Sequence, residues 1–76
     1  MPVDQPWILE YRRTLGDRIR DRRLWCSMTQ EQMAHAAGIS RDTVQRIERG
    51  YLDARVGQLL RITQVLDMPI AELFQQ

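Results

Sequence analysis

The stretch TQEQMAHAAGISRDTVQRIERG, residues 29–50, decides how this chain folds. Thr29 followed three residues later by Gln32 is a capping box, which satisfies two helix-terminal amides reciprocally and opens a helix on QEQMAHAA. Gly38 stops that helix, because a residue without a Cβ takes the left-handed backbone that helix ends favour. Ile39 then packs inward, and Ser40 caps a second helix, RDTVQRIER, which Gly50 ends. A tight turn of Ala37, Gly38, Ile39 and Ser40 fixes the two helices at a steep mutual angle. Met33, Ala37, Ile39, Val44 and Ile47 form the inner face, and Ala34 is small where the helices approach. Arg41, Asp42, Gln45, Arg46 and Arg49 are left on the outer face of the second helix. That helix is thereby suited to entering the major groove while its partner lies across the DNA backbone.

Toward the N-terminus, Ile8, Tyr11, Leu15, Ile19 and Leu24 recur at helical spacing. Pro2 and Pro6 restrict the first residues, and Pro6 suits a first helical turn. Gly16 interrupts the pattern, which predicts a domain helix at about 15–25 behind an N-terminal extension of residues 1–14. Toward the C-terminus, Val56, Leu59, Leu60, Ile62, Val65 and Leu66 fit an amphipathic helix, and Pro69 begins a final short turn, IAELF. No strand alternation and no internal repeat occurs.

The outer features narrow the class. Seventy-six residues make one domain near the lower size limit for an independent core. The 43% apolar content argues for a folded domain rather than a disordered tail. Net charge is only +1, yet residues 12–49 hold nine arginines against five acids. Every basic residue is Arg, whose planar fork suits phosphate and guanine edges. A GC-rich genome accounts for that bias equally well. Cys26 is the only cysteine, so no intrachain disulfide forms. His35 has no second ligand at metal spacing, and Cys26 has no adjacent base. With no paired carboxylates and no phosphate-cradling glycine loop, the sequence points away from an enzyme, a metal, a cofactor or a small-molecule ligand. The apolar runs are too short for a membrane span, and the N-terminus lacks a secretory pattern. The expected location is the cytoplasm, with the nucleoid.

LGDRIRDRR, TQEQMAHAAGIS, VQRIERG and LLRITQVLDMPIAELF together resemble the phage-repressor type of helix-turn-helix, the Xre/Cro-like family. The ordered set runs from Leu15 to Phe74. The resemblance implies an all-α, compact five-helix lambda-repressor-like DNA-binding domain over residues 15–76. It also implies a homodimer on a two-fold symmetric operator in double-stranded DNA, acting as a transcriptional repressor. Carried over by position, Gln30 meets a DNA phosphate, and Arg41, Asp42, Gln45 and Arg46 face base edges. Thr43 and Arg49 touch the backbone, while Arg23 and Glu48 form a buried salt bridge. Ala54, Thr63 and Asp67 depart from the family's usual proline, alanine and glycine.

Two alternatives stay open. The chain is either a DNA reader or a protein-interaction module, antitoxin-like, that uses the same fold. Trp7, Ile8 and Tyr11, like Leu73 and Phe74, either cover the domain's own core or present an apolar surface to a second subunit.

Overall fold

A computed structural model of the chain describes residues 5–75. Pro2 and the rest of the first four residues of the expected extension lie outside the described residues. Four α-helices follow in order: α1 (Pro6–Trp25), α2 (Gln30–Ala37), α3 (Arg41–Glu48) and α4 (Val56–Val65). A 3₁₀ turn, Ile70–Phe74, completes the fold. The expected five-helix count is therefore corrected to four helices and a 3₁₀ turn. Five residues behind Pro69 have room for little i→i+4 bonding, and the segment opens with Glu72 N–H donating to the Pro69 carbonyl instead.

The expected start of the first helix is corrected too. α1 runs unbroken from Pro6 through Gly16, with Pro6 in its first turn, so residues 6–14 are its first half. Gly16 is buried, and a Cβ there would run into the backbone carbonyls of Ile47 and Glu48. The glycine thus marks where α1 crosses the end of α3 rather than where a helix stops. Its helix-propensity cost, about 1 kcal/mol, is offset by the close approach it permits.

All four helices leave through a residue in the left-handed region: Ser27 (φ 57°), Gly38 (φ 70°), Gly50 (φ 75°) and Asp67 (φ 52°). Behind each, a 6→1 bond closes the end: Met28 N–H to Arg23 O, Ile39 to Ala34, Tyr51 to Arg46 and Met68 to Thr63, at 2.9–3.1 Å. Asp67 takes the family's glycine position with the glycine's backbone. At the N-termini, Gln32 N–H donates to Thr29 Oγ1 at 3.0 Å and Thr29 N–H to Gln32 Oε1 at 2.8 Å. Thr43 N–H donates to Ser40 Oγ at 3.0 Å.

The core is one cluster in which Ile19, Met33, Val44, Ile47, Ile62, Leu66 and Leu73 are fully buried. Each contributes roughly 1.5–3 kcal/mol relative to exposure. α3 packs on both α1 and α2, α2 also packs on α4, and the 3₁₀ turn packs on α1 and α4. Leu73 thus belongs to the core, whereas Phe74 is half exposed. Thr63 is buried in the family's alanine position, with its hydroxyl donating to Leu59 O or Leu60 O at 2.9 and 3.1 Å.

Long side chains on α1 tie the other elements down. Arg12 donates through Nε and Nη2 to the Gly50 carbonyl at 3.1 and 3.0 Å. Arg18 Nη1 donates to Leu73 O at 2.9 Å. Arg22 donates to Leu66 O and Asp67 O at 2.9 and 3.0 Å. These acceptors are carbonyls past the ends of α3 and α4 and near the end of the 3₁₀ turn, where backbone oxygens lack intrahelical partners and the helix dipole favours a cation.

Candidate nucleic-acid interface

α3 is eight residues long with a sharp division of faces. Val44, Ile47 and Glu48 are buried, while Arg41, Asp42 and Arg46, and Arg49 just beyond, are exposed. Gln45 and Thr43 are half-buried at the margin. The α3 residues expected to meet DNA therefore lie on its solvent-facing side or at the margin of that side.

Behind that side lies the buried pair of Arg23 and Glu48. Arg23 Nε donates to Glu48 Oε2 at 2.7 Å and Nη2 to Oε1 at 3.0 Å, a bidentate fork with both side chains almost wholly out of water. Arg23 Nη1 also donates to Met28 O at 2.8 Å, in the turn before α2. Gln30 Nε2 donates to Glu48 Oε1 at 3.1 Å. The first residue of α2, the end of α3 and the body of α1 are thus joined by one network. No buried side-chain polar atom among the described residues lacks a partner. A primary amide carries two N–H donors, so Gln30 retains one for another acceptor while held in this network.

Arg23, Thr29, Gln30, Glu31 and Arg41 line an open, polar cleft of about 520 Å³ between the beginnings of α2 and α3. Gln30 and Arg41, assigned to a phosphate and to bases, face the same space. Thr29 and Glu31 also line it, a placement no local pattern announces. Both helices begin beside this cleft, where the helix dipole favours negative charge, and Glu31 opposes it. The Thr43 hydroxyl shares a 2.7 Å hydrogen bond with Ser40 Oγ. Arg46 Nε and Asp42 Oδ2 form an exposed ion pair at 3.1 Å. The Arg41 and Arg49 side chains make no hydrogen bond or ion pair among the described residues. Among those residues no three His, Cys, Asp or Glu could hold a metal, and no helix is long and apolar enough to cross a membrane.

A second concavity uses none of these outward residues. Trp7, Ile8, Tyr11, Leu52, Val56 and Phe74 line an apolar groove of about 360 Å³. Trp7 and Tyr11 meet edge to face with ring centroids 6.2 Å apart. Ile8 is half-buried, whereas Trp7, Val56 and Phe74 are 61%, 68% and 48% exposed. The aromatic residues of early α1 therefore cover the core only in part.

Residues 14–74 match the model of a family described as a helix-turn-helix domain. Among curated proteins, an HTH-type transcriptional regulator of Sinorhizobium medicae is 33% identical over 61 residues, 80% of this chain and 44% of its own length. An HTH-type transcriptional regulatory protein of Methanococcoides burtonii is 33% identical over 57 residues, 75% of this chain and 18% of its own length. The chain thus spans less than half of these curated relatives. Among solved structures, the restriction-modification controller protein C.AhdI of Aeromonas hydrophila is 31% identical, with a TM-score of 0.79. The match covers 82% of this chain and 94% of that protein. The clp gene regulator ClgR of Corynebacterium glutamicum, 23% identical with a TM-score of 0.81 over 84% of this chain and 68% of that one, shares the fold.

Proposed function

We propose that this chain, which belongs to the helix-turn-helix domain family in its phage-repressor (Xre/Cro-like) form, is a sequence-specific DNA-binding transcriptional regulator. One observation carries the reading. α3 turns Val44, Ile47 and Glu48 into the protein and leaves Arg41, Asp42 and Arg46 in solvent, beside the cleft that holds Gln30. A rigid helix that projects polar side chains from a buried anchor fits the major groove. Arg41, Asp42, Gln45 and Arg46 are the base-reading set. Gln30, Thr43 and Arg49 contact phosphates, and Arg23 with Glu48 holds α2 and α3 in register. The regulator acts in the cytoplasm, as a repressor that occludes a promoter. It does so as a homodimer on a two-fold operator, and performs no catalysis. The half-exposed Phe74 and the apolar groove beside it favour self-association.

The test is an anisotropy titration against a duplex from upstream of the chain's own gene and against a random duplex, at two salt concentrations. Tighter binding to the upstream duplex is expected, with both affinities falling steeply as salt rises. Arg41→Ala combined with Arg46→Ala removes the preference and leaves the helical circular dichroism intact. Equal, weak binding to both duplexes overturns sequence-specific recognition. The same apolar groove supports the second reading, an antitoxin-like interaction module, for which that double variant keeps its protein partner. Sedimentation of the same sample tests the dimer, and a monomer at high concentration removes it.

A further inference from the structure

We infer that Arg13 and Arg20 form a further phosphate-binding track on one flank of α1, holding the DNA backbone beside α3. The inference rests on the DNA-binding reading proposed above and extends it to a helix outside the helix-turn-helix pair.

Residues 12–49 hold nine arginines. Arg12, Arg18, Arg22 and Arg23 are bonded within the fold, and Arg41, Arg46 and Arg49 stand on α3 and its end. Arg13 and Arg20 are left over. Both are exposed, and their side chains make no hydrogen bond or ion pair among the described residues.

Their placement is set by backbone contacts rather than by a rotamer. α1 meets the end of α3 at the peptide joining Arg12 to Arg13. A Cβ on Gly50 would lie 3.0 Å from Arg13 Cα and N and 3.3 Å from the Arg12 carbonyl carbon. The Arg12 side chain turns to the Gly50 carbonyl and lines the apolar groove. Arg13 lies about 100° further round the helix, on the flank away from that groove. Arg20, seven residues on, shares this flank. Each stands one turn before an α1 residue that touches α3. Those residues are Gly16, against the Ile47 and Glu48 carbonyls, and Arg23, on the Glu48 carboxylate. The flank therefore runs beside α3, from Gly50 at one end to the cleft of Arg23 and Gln30 at the other. Arg49 and Gln30, both assigned to phosphates above, stand at those two ends. Two guanidinium groups between them continue the same charge along one phosphate ridge, and Asp17, on the same stretch, opposes it.

The experiment selects a duplex from a randomised pool with the wild-type chain, then measures affinity against salt for that duplex and a scrambled one. Arg13→Ala and Arg20→Ala are each expected to lower the slope of log affinity against log salt by about 1, and the double variant by about 2. Preference for the selected duplex stays unchanged, because phosphate contacts carry no sequence information. Arg13→Lys keeps the wild-type slope, since a phosphate accepts a point charge. Asp17→Asn tightens binding to both duplexes equally. The control is Arg61→Ala, which removes the same charge from the exposed side of α4, a helix that packs on α2 and the 3₁₀ turn. It should leave the slope at its wild-type value.

A double variant with the wild-type slope overturns the inference and leaves the DNA-binding reading standing. An equal fall for Arg61→Ala overturns it in favour of net charge alone. Lost preference at a single base pair in Arg13→Ala or Arg20→Ala overturns it in favour of a base contact. Wild-type binding that is insensitive to salt overturns the DNA-binding reading itself, and the inference falls with it. Circular dichroism confirms that the exposed substitutions leave the helices in place.

Discussion

The arginines of α1 and those of α3 are the same residue type put to opposite use. Arg12, Arg18, Arg22 and Arg23 send their guanidinium groups inward or along the surface to Gly50, Leu73, Leu66, Asp67, Met28 and Glu48. Arg41, Arg46 and Arg49 extend into solvent from α3 and its end. The guanidinium is a fork of donors in both places. Aimed at an orphaned carbonyl it fastens one element to another, and aimed outward it is available to phosphate or guanine. The positive excess of residues 12–49 therefore overstates the DNA-facing charge, since four of its nine arginines are committed within the fold.

This contrast fails or sharpens under substitution. The largest effect is expected at its most buried point. Glu48→Ala leaves the Arg23 guanidinium buried without its carboxylate and should cost about 3–5 kcal/mol. In a domain this small that loss leaves little folded protein, and thermal unfolding by circular dichroism reads it directly. A melting temperature close to wild type would show that water reaches Arg23 and that the network is dispensable. Next is Gly16→Ala, which forces α1 away from the Ile47 and Glu48 carbonyls. A destabilisation of roughly 1–3 kcal/mol by urea unfolding is expected, whereas a helix-propensity gain alone would stabilise.

The comparison itself is tested by Arg12→Ala against Arg49→Ala. Arg12→Ala should cost about 1 kcal/mol of stability, the lost bonds to Gly50 O being only part-buried. It should leave the slope of DNA affinity against salt unchanged. Arg49→Ala should do the reverse, with stability within about 0.5 kcal/mol of wild type and a salt slope reduced by about 1. Identical behaviour of the two variants would erase the distinction between stapling and reading arginines. The smallest effect is at Asp67, whose φ of 52° suits glycine better. Asp67→Gly should stabilise by at most about 1 kcal/mol, the relief of the left-handed conformation being offset by a freer unfolded chain.

Thr29, Gln32, Gly38 and Ser40 announced α2, its turn and the start of α3, because capping and left-handed exits are settled within about four residues of chain. The outward set on α3 was legible for the same reason: a period of 3.6 places Val44 and Ile47 on one side and Arg41, Asp42 and Arg46 on the other. Gly16 was not legible. Its spacing looks like a break, and only the crossing of α1 over the α3 terminus gives it a place inside a helix. The end of α1 at Trp25 agrees with the expected 15–25, although the left-handed backbone of Ser27 carries no mark in the sequence.

What the sequence determined by itself is the order of helices, the turn between α2 and α3 and the polar face of α3. These are fixed by rules that act between near neighbours. The tertiary structure decided which arginines serve the fold, because each of the α1 ties to α3, α4 and the 3₁₀ turn spans at least 25 residues of chain. A long, charged side chain has no local preference strong enough to choose its partner. That choice waits until packing has brought a bare carbonyl or a buried carboxylate within reach.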